Sequence, residues 1–280
     1  MSATTTKRPL VRYHGGKWVL APWIVSCFPA HRCYVEPFGG GGSVLLRKPR
    51  AYAEVYNDLD GEIVNVFRVA RDDGEALAKL LELTPFSRQE FNQSYEPDAD
   101  PLEQARRTLV RSFMGFGSAA ISMQKTGFRA NSNRSGSTPA HDWMNYPDAL
   151  RTTIQRLRGV VIESRDAIAV MRHHDTPETL HYADPPYVSE TRFMGEKTKC
   201  YKYEMTDADH VALAEAMRGL SGMVVLSGYR CDLYDRLYAG WQRIDKAAKA
   251  DGAKDRIESL WLSPNIRWQG FDFEQERRAA

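Results

Sequence analysis

The chain has 280 residues, enough for one large α/β domain or for a core carrying a smaller insertion. Hydrophobic residues at 42% and charged residues at 26% exclude the disordered and fibrous classes. A formal charge of +2 is too slight to name a partner, so where the charge sits matters more than its sum.

Cys27, Cys33, Cys200 and Cys231 have no C-x-x-C spacing and are too few for a disulfide framework in a chain of this size, which predicts reduced thiols in a cytoplasmic protein. The first residues, M-S-A-T-T-T-K-R-P, have no apolar run behind their basic side chains. No stretch approaches the ~20 apolar residues of a membrane span, so no membrane partner is expected. His173 and His174, the one close histidine pair, sit in a polar stretch that reads as a helix end, and no metal is expected.

In chain order, Leu10 to Lys17 reads L-V-R-Y-H-G-G-K and leads into a predicted helix from about Trp18 to Phe28. Two glycines before a helix leave its first N–H groups bare, and Lys17 adds a positive charge there. A carboxylate-bearing ligand fits such a place, and so does a plain turn with a surface lysine. Cys33 to Glu36 predicts a strand, Pro37 to Ser43 a glycine loop, and Val44 the start of a helix. Glycines there let a ligand approach the backbone, but Phe38 followed by Gly39, Gly40, Gly41 and Gly42 fits neither a P-loop nor a dinucleotide fingerprint. A loop packed beneath an uncharged nucleoside suits it better. Ala51 to Tyr56 predicts a second strand, with Asp58 at its carboxyl end placed to accept from ribose hydroxyls or to cap the next helix. Asp60 is a further cap candidate for a helix from Glu62 through Ala70.

From 71 to 148 the strand–helix rhythm is replaced by helical periodicity, in Gly74 to Leu83 and Pro101 to Phe113, which predicts an inserted, mainly helical subdomain. Arg106, Arg107, Arg111, Lys125, Arg129 and Arg134 occur there with no acidic residue between Glu103 and Asp142, amid Gly, Ser and Asn residues that include Asn131. Such residues supply phosphate contacts and base-edge readers, and a solvated cationic loop is the plainer alternative.

The rhythm resumes with a strand at Val160 to Glu163, after which Asp166 suits either an adenine edge or an N-cap. Thr179 to Tyr187 reads T-L-H-Y-A-D-P-P-Y: a buried strand stopped by two prolines, showing a carboxylate, a rigid turn and an aromatic ring at its end. That set suits a flat heterocycle with an exocyclic amine, the carboxylate of Asp184 and a prolyl carbonyl accepting N–H while the ring stacks on Tyr187. Val188 to Tyr203 reads as a loop beside the site that closes over substrate or stays disordered. Thr206 opens a helix to about Leu220, Met223 to Leu226 is a strand, and a helix runs through Leu237. Trp241 to Ala247 and Arg256 to Leu262 predict a terminal antiparallel pair.

Taken together, Y-H-G-G-K (13 to 17), E-P-F-G-G-G-G-S (36 to 43), N-D (57 to 58) and D-P-P-Y (184 to 187), with S-G-Y (227 to 229) as weaker support, resemble the Dam-type, or D12 class, N6-adenine DNA methyltransferases. The resemblance implies an α/β, Rossmann-like core of mixed, mostly parallel sheet at 1–70 and 149–280, and a target-recognition subdomain at 71–148. It further implies S-adenosyl-L-methionine as methyl donor and a flipped adenine in double-stranded DNA as acceptor. Carried over by motif, Tyr13, Lys17, Phe38, Gly39, Gly40, Gly41, Asp58 and Asp184 are cofactor positions, and Asp166 is added as a cofactor candidate from its place after the strand. Asp184, Pro185, Pro186 and Tyr187 hold the adenine, and Arg106, Arg111, Lys125, Arg129, Asn131 and Arg134 are candidates for DNA contact. Tyr13 departs from the tryptophan common at that position.

The same pocket also suits N4 of cytosine, an RNA adenine or a glutamine amide, and the basic insert favours nucleic acid among these. Of other classes, a silent DNA-binding regulator is disfavoured by the intact D-P-P-Y, and a dehydrogenase by the poor dinucleotide fingerprint. The motifs leave monomer and homodimer equally open.

Overall fold

A computed structural model describes residues 6–117, 125–131, 133, 136–191, 201–249 and 255–266. Among the described residues there are seven strands: β1 (Cys33–Glu36), β2 (Ala53–Asn57), β3 (Val160–Glu163), β4 (Thr179–Ala183), β5 (Met223–Gly228), β6 (Gln242–Lys249) and β7 (Asp255–Leu262). They lie in the order β3-β2-β1-β4-β5-β7-β6. The first five are parallel, and β7 runs antiparallel to both β5 and β6. This is the mixed, mostly parallel sheet of a Rossmann-like α/β protein. The chain steps outward from β1 through β2 to β3, then returns to lay β4 on the other side of β1. The order therefore reverses between β1 and β4, and ligands of open α/β sheets bind at the carboxyl ends of the strands at such a point.

Both faces of the sheet are covered. Tyr34, Tyr56, Leu180, Tyr182 and Val225 join one buried cluster with Ile24, Leu45 and Phe67, while Ala183, Val224 and Leu226 join another with Leu213, Met217, Tyr234 and Trp261. Val224, Val225 and Leu226 thus alternate between clusters, as the two-residue period of a strand requires. The second cluster is roofed by α9 (Ala167–His173), α10 (Asp207–Arg218) and α11 (Asp232–Leu237). As expected, Thr206 caps α10, in a reciprocal capping box with Asp209.

The predicted helix from Trp18 is shorter than expected: α1 spans Ala21–Ser26. Pro22 has no N–H to return to the Trp18 carbonyl and is tolerated only in a first turn, so the helix begins beside it. The Trp18 carbonyl accepts instead from Arg47 Nη1 at 2.7 Å. Lys17 consequently lies outside the helix.

Between β2 and β3 come α3 (Gly61–Asp72), α4 (Gly74–Glu82), α5 (Arg88–Gln93), α6 (Pro101–Met114), α7 (Pro139–Met144) and α8 (Tyr146–Leu157). Position 71 falls inside α3. Leu77 and Leu81 of α4, Leu109 and Phe113 of α6, Trp143, Tyr146 and Leu150 are buried in the same cluster as Tyr34 and Tyr56, so these helices share the core of the sheet. At the far end Arg156 bridges elements, its guanidinium donating to Glu54 of β2 at 2.6 and 2.9 Å and to the Leu45 carbonyl at 2.6 Å.

The turn after β1 is built by close approach. The Gly39 N–H donates to the Asn57 carbonyl at 2.8 Å, and the loop then passes through Gly40 and Gly42 at φ +47° and +61° before α2 (Ser43–Arg47) begins. A Cβ on Gly39 would lie 2.2 Å from the Tyr56 ring, which is itself stacked on Phe67 at 4.0 Å. β1 ends on a buried carboxyl: Glu36 Oε2 accepts from Tyr34 Oη at 2.7 Å and from the Leu45 N–H at 2.9 Å. Burial lifts this carboxyl to about 8 against the opposing pull of those two bonds.

Gly39→Ala is expected to cost about 1–3 kcal/mol, the usual range for overpacking a filled core, read as a lower urea midpoint. Gly61→Ala, whose Cβ would meet nothing within 4 Å, is the control and keeps or raises the midpoint. For Glu36, the folded chain keeps a proton that the unfolded chain loses near the ordinary value of 4.5, so this contribution is full below about pH 4.5 and is lost as pH rises to about 8. Glu36→Gln keeps an acceptor and has no charge to bury. Its melting temperature should gain on the parent's progressively over that pH range, and parallel curves would contradict the assignment.

Candidate active site

The carboxyl ends of β1, β2 and β4 open onto a cavity of about 530 Å³. Tyr13, Lys17, Phe38, Gly39, Gly40, Gly41, Asp58, Asp166 and Asp184, scattered over the sequence, all line it, as does Pro186. Pro185 and Tyr187 are buried rather than part of the lining.

On one side the glycine loop meets the end of β2. Asp58 Oδ2 accepts from the Gly40 N–H and Oδ1 from the Asp60 N–H, both at 2.8 Å. Burial raises the Asp58 carboxyl to about 6, with those backbone bonds working against the rise. The Tyr13 ring lies over Gly40 so closely that a Cβ there would be 2.8 Å from Cε1, and the Tyr56 hydroxyl donates to the Gly40 carbonyl at 2.7 Å. Asp60 caps α3 and also pairs with Lys202 at 2.9 Å. Asp166 caps α9 through the Ala169 N–H at 2.8 Å and also lines the cavity.

On the other side stands D-P-P-Y. The prolines end β4 at Ala183 and leave Asp184 at the strand terminus. Asp184 Oδ2 lies 3.0 Å from Lys17 Nζ, while Oδ1 is buried with no hydrogen-bond partner among the described residues. Lys17 Nζ also donates to the Gly15 carbonyl at 2.8 Å, lies 3.8 Å from Glu258 Oε1 and sits 4.7 Å from the centre of the Tyr187 ring. Burial works against the ammonium, but the Asp184 and Glu258 carboxylates outweigh it and hold Lys17 above the usual lysine range. Lys17 is therefore a buried ion-pair partner, not the bare charge at a helix start that the sequence suggested.

Tyr187 also departs from expectation. Its hydroxyl donates to Glu258 and lies 3.0 Å from Ser227 Oγ, Tyr229 stands edge-on to its ring at 4.7 Å, and the Lys17 ammonium covers its face. Anchored at the hydroxyl and covered on the ring, it is no open stacking platform in this arrangement. The Ser227 and Tyr229 of S-G-Y owe their place to these contacts. Glu258 was missed from sequence. The available signal was its two-residue spacing from buried Leu260 and Leu262, which puts a carboxylate on an inward strand face. Tyr201, Lys202 and Tyr203, from the loop expected to close over substrate, line the cavity too. Tyr201 lies edge-on to His14 at 5.4 Å, and positions 192–200 lie outside the described residues.

The expected DNA-contacting residues divide into two groups. Arg111 is fully buried and donates to Glu62 and to the Ser94 carbonyl. Arg106 is bound by Glu90 at 2.6 Å and Glu103 at 2.7 Å. Both therefore serve packing, because carboxylates of α3, α5 and α6 reach the basic stretch through space. Lys125 and Asn131 are exposed, Arg129 donates to the Phe113 carbonyl at 3.0 Å, and Arg134 lies outside the described residues. Among the described residues Cys27, Cys33 and Cys231 are free thiols, no group of three or more His, Cys, Asp or Glu is placed to hold a metal, and no helix is long and apolar enough to cross a membrane.

Comparison with known proteins agrees with this geometry. The model of the D12 class N6 adenine-specific DNA methyltransferases matches residues 13–251. The chain is 23% identical to Type II methyltransferase M.MjaIII of Methanocaldococcus jannaschii over 91% of its own length and 98% of that protein. It is 26% identical to Type II methyltransferase M1.LlaDCHI of Lactococcus lactis subsp. cremoris over 88% and 90%. A shorter match, 32% identical over 32% of the chain and 37% of the relative, is to a DNA adenine methylase of Serratia marcescens. With its motifs gathered on one cavity and the family model spanning most of its length, the chain belongs to the D12 class of N6 adenine-specific DNA methyltransferases.

Proposed function

We propose that this chain transfers a methyl group from S-adenosyl-L-methionine to N6 of an adenine turned out of double-stranded DNA. Methyltransferases in general use that donor, and the family acts on DNA adenine. The observation that carries the reading is Asp184, a carboxylate of the cavity wall whose Oδ1 is buried with no partner among the described residues. Leaving such an acceptor dry and unpaired is costly, which is tolerable where a substrate N–H completes it.

The cavity suits the donor. About 530 Å³ is within the range of small-molecule sites, Gly39, Gly40 and Gly41 admit a ligand against the backbone, and Phe38 and Leu213 give apolar walls. Asp58 and Asp166 offer acceptors for ribose hydroxyls and for a base edge, and carboxylates around the cavity favour a cationic ligand. When bound, the donor would supply an electrophilic methyl carbon whose C–S electrons stay with sulfur, and Asp184 would accept the hydrogen bond through which the methylated amine's surplus proton leaves to solvent. Asp184 and a prolyl carbonyl of the turn after it accept the two N–H bonds of the amine, which directs its lone pair away from the ring plane and toward the donor. Holding the two partners in line accounts for most of the acceleration, since an oriented pair avoids the entropy of encounter. Lys125, Arg129, Asn131 and Arg134 remain the DNA-contacting candidates of the insert, Lys125 and Arg129 toward phosphates and Asn131 toward base edges.

Nucleoside analysis of plasmid DNA from an expressing host should reveal N6-methyladenine; N4-methylcytosine, or no modified base, would contradict the proposal. Asp184→Asn should lower transfer by on the order of 10²-fold or more while the donor still raises the melting temperature. Since the Asp58 carboxyl titrates near 6, protonation removes an acceptor, and donor affinity should weaken as pH falls through about 6. Asp58→Asn should bind roughly tenfold or more weakly, the loss of a charge-assisted hydrogen bond, and should show no such pH dependence in calorimetric titration.

A further inference from the structure

Glu258 has no role in the reading above, yet it is the second carboxylate within reach of Lys17 Nζ, at 3.8 Å against 3.0 Å for Asp184. Resting on the adenine methyltransferase reading, we propose that Glu258 is a positioning residue that takes the Lys17 ammonium when the target amine claims Asp184.

The need for a second counter-ion follows from charge. With Lys17 on Oδ2, Asp184 is a weakened acceptor, and a fixed cation stands beside an amine that becomes positive as it is methylated. The ammonium has to withdraw, but Lys17 is buried, with a side chain only 7% exposed, and a buried charge without a partner is strongly disfavoured. Glu258 meets both conditions. Its side chain is 5% exposed, it is not among the residues lining the cavity, and the Tyr187 hydroxyl and Ser227 Oγ hold its Oε1 in place. The Tyr187 ring, 4.7 Å from Nζ, gives the moving cation a π-face to slide along. Burial leaves the Glu258 carboxyl above its ordinary range, with Lys17 only partly offsetting it, so closer approach of the ammonium is favourable once Asp184 has another donor. On this view Tyr187 acts from behind the pocket, fixing the receiving carboxylate.

The test is a two-residue cycle, read as kcat for transfer of labelled methyl from saturating S-adenosyl-L-methionine to unmethylated plasmid DNA. Glu258→Gln keeps hydrogen bonds to Tyr187 and Ser227 and removes the charge. It should lower kcat by about tenfold or more, whereas on a Lys17→Met background, whatever that change costs by itself, the same substitution should cost no more than about twofold, because no stranded ammonium remains beside Asp184. Lys17→Met alone and the double variant should agree within about twofold, a comparison that holds even if the Glu258→Gln single variant does not fold. Full activity in Glu258→Gln, or a loss at Glu258 that is equally large with and without Lys17, would overturn the proposal while leaving the methyltransferase reading intact. Absence of transfer by the parent chain would instead overturn that reading and this inference with it.

Discussion

A buried ammonium holds this site together. Lys17 reaches from the segment before α1 to the end of β4 and to β7, three parts of the chain that meet nowhere else in sequence, and two carboxylates keep it charged despite its burial. An isolated charge in such surroundings would be expelled or neutralised. The cluster is therefore stable only as a set, and removing one member leaves the others with uncompensated charge. The acceptor side of the cavity inherits its geometry from that mutual dependence. Asp184 is oriented through one oxygen, which leaves the other aimed without a partner.

The opposite wall is made by exclusion. Beside the Phe38 ring, the glycines define it by their lack of side chains, allowing Tyr56 and Tyr13 to lie against the backbone and the loop to reach Asp58. One wall is thus set by electrostatics and the other by steric fit. They meet because the order of strands reverses between β1 and β4, bringing loops from distant parts of the chain to one edge.

Much of this was legible in the residues themselves, and the legible part is local. Proline after proline must end β4, glycine after a strand must turn, and Thr206 with Asp209 must cap a helix. The late start of α1 was legible too, since Pro22 announces it. What could not be read were partners supplied through space. Tyr187 looked like an open ring because Glu258, 71 positions on, does not announce that it will hold the hydroxyl. Arg111 looked like a phosphate ligand because 104–141 contains no acid, whereas Glu62 reaches it from 49 positions earlier. Residue type predicts what a side chain offers, but topology decides which neighbour takes the offer.

The place of β7 between β5 and β6 carries a consequence for biogenesis. Among the described strands β7 comes last in the chain, yet it pairs with both neighbours and delivers Glu258. A ribosome-bound chain that has produced only β1 to β6 therefore displays an unpaired edge on β5 and lacks the second of the two carboxylates near Lys17. Long-range pairing of this kind is slow to form. The carboxylate cluster around Lys17 is complete only once the β6–β7 hairpin has docked on β5.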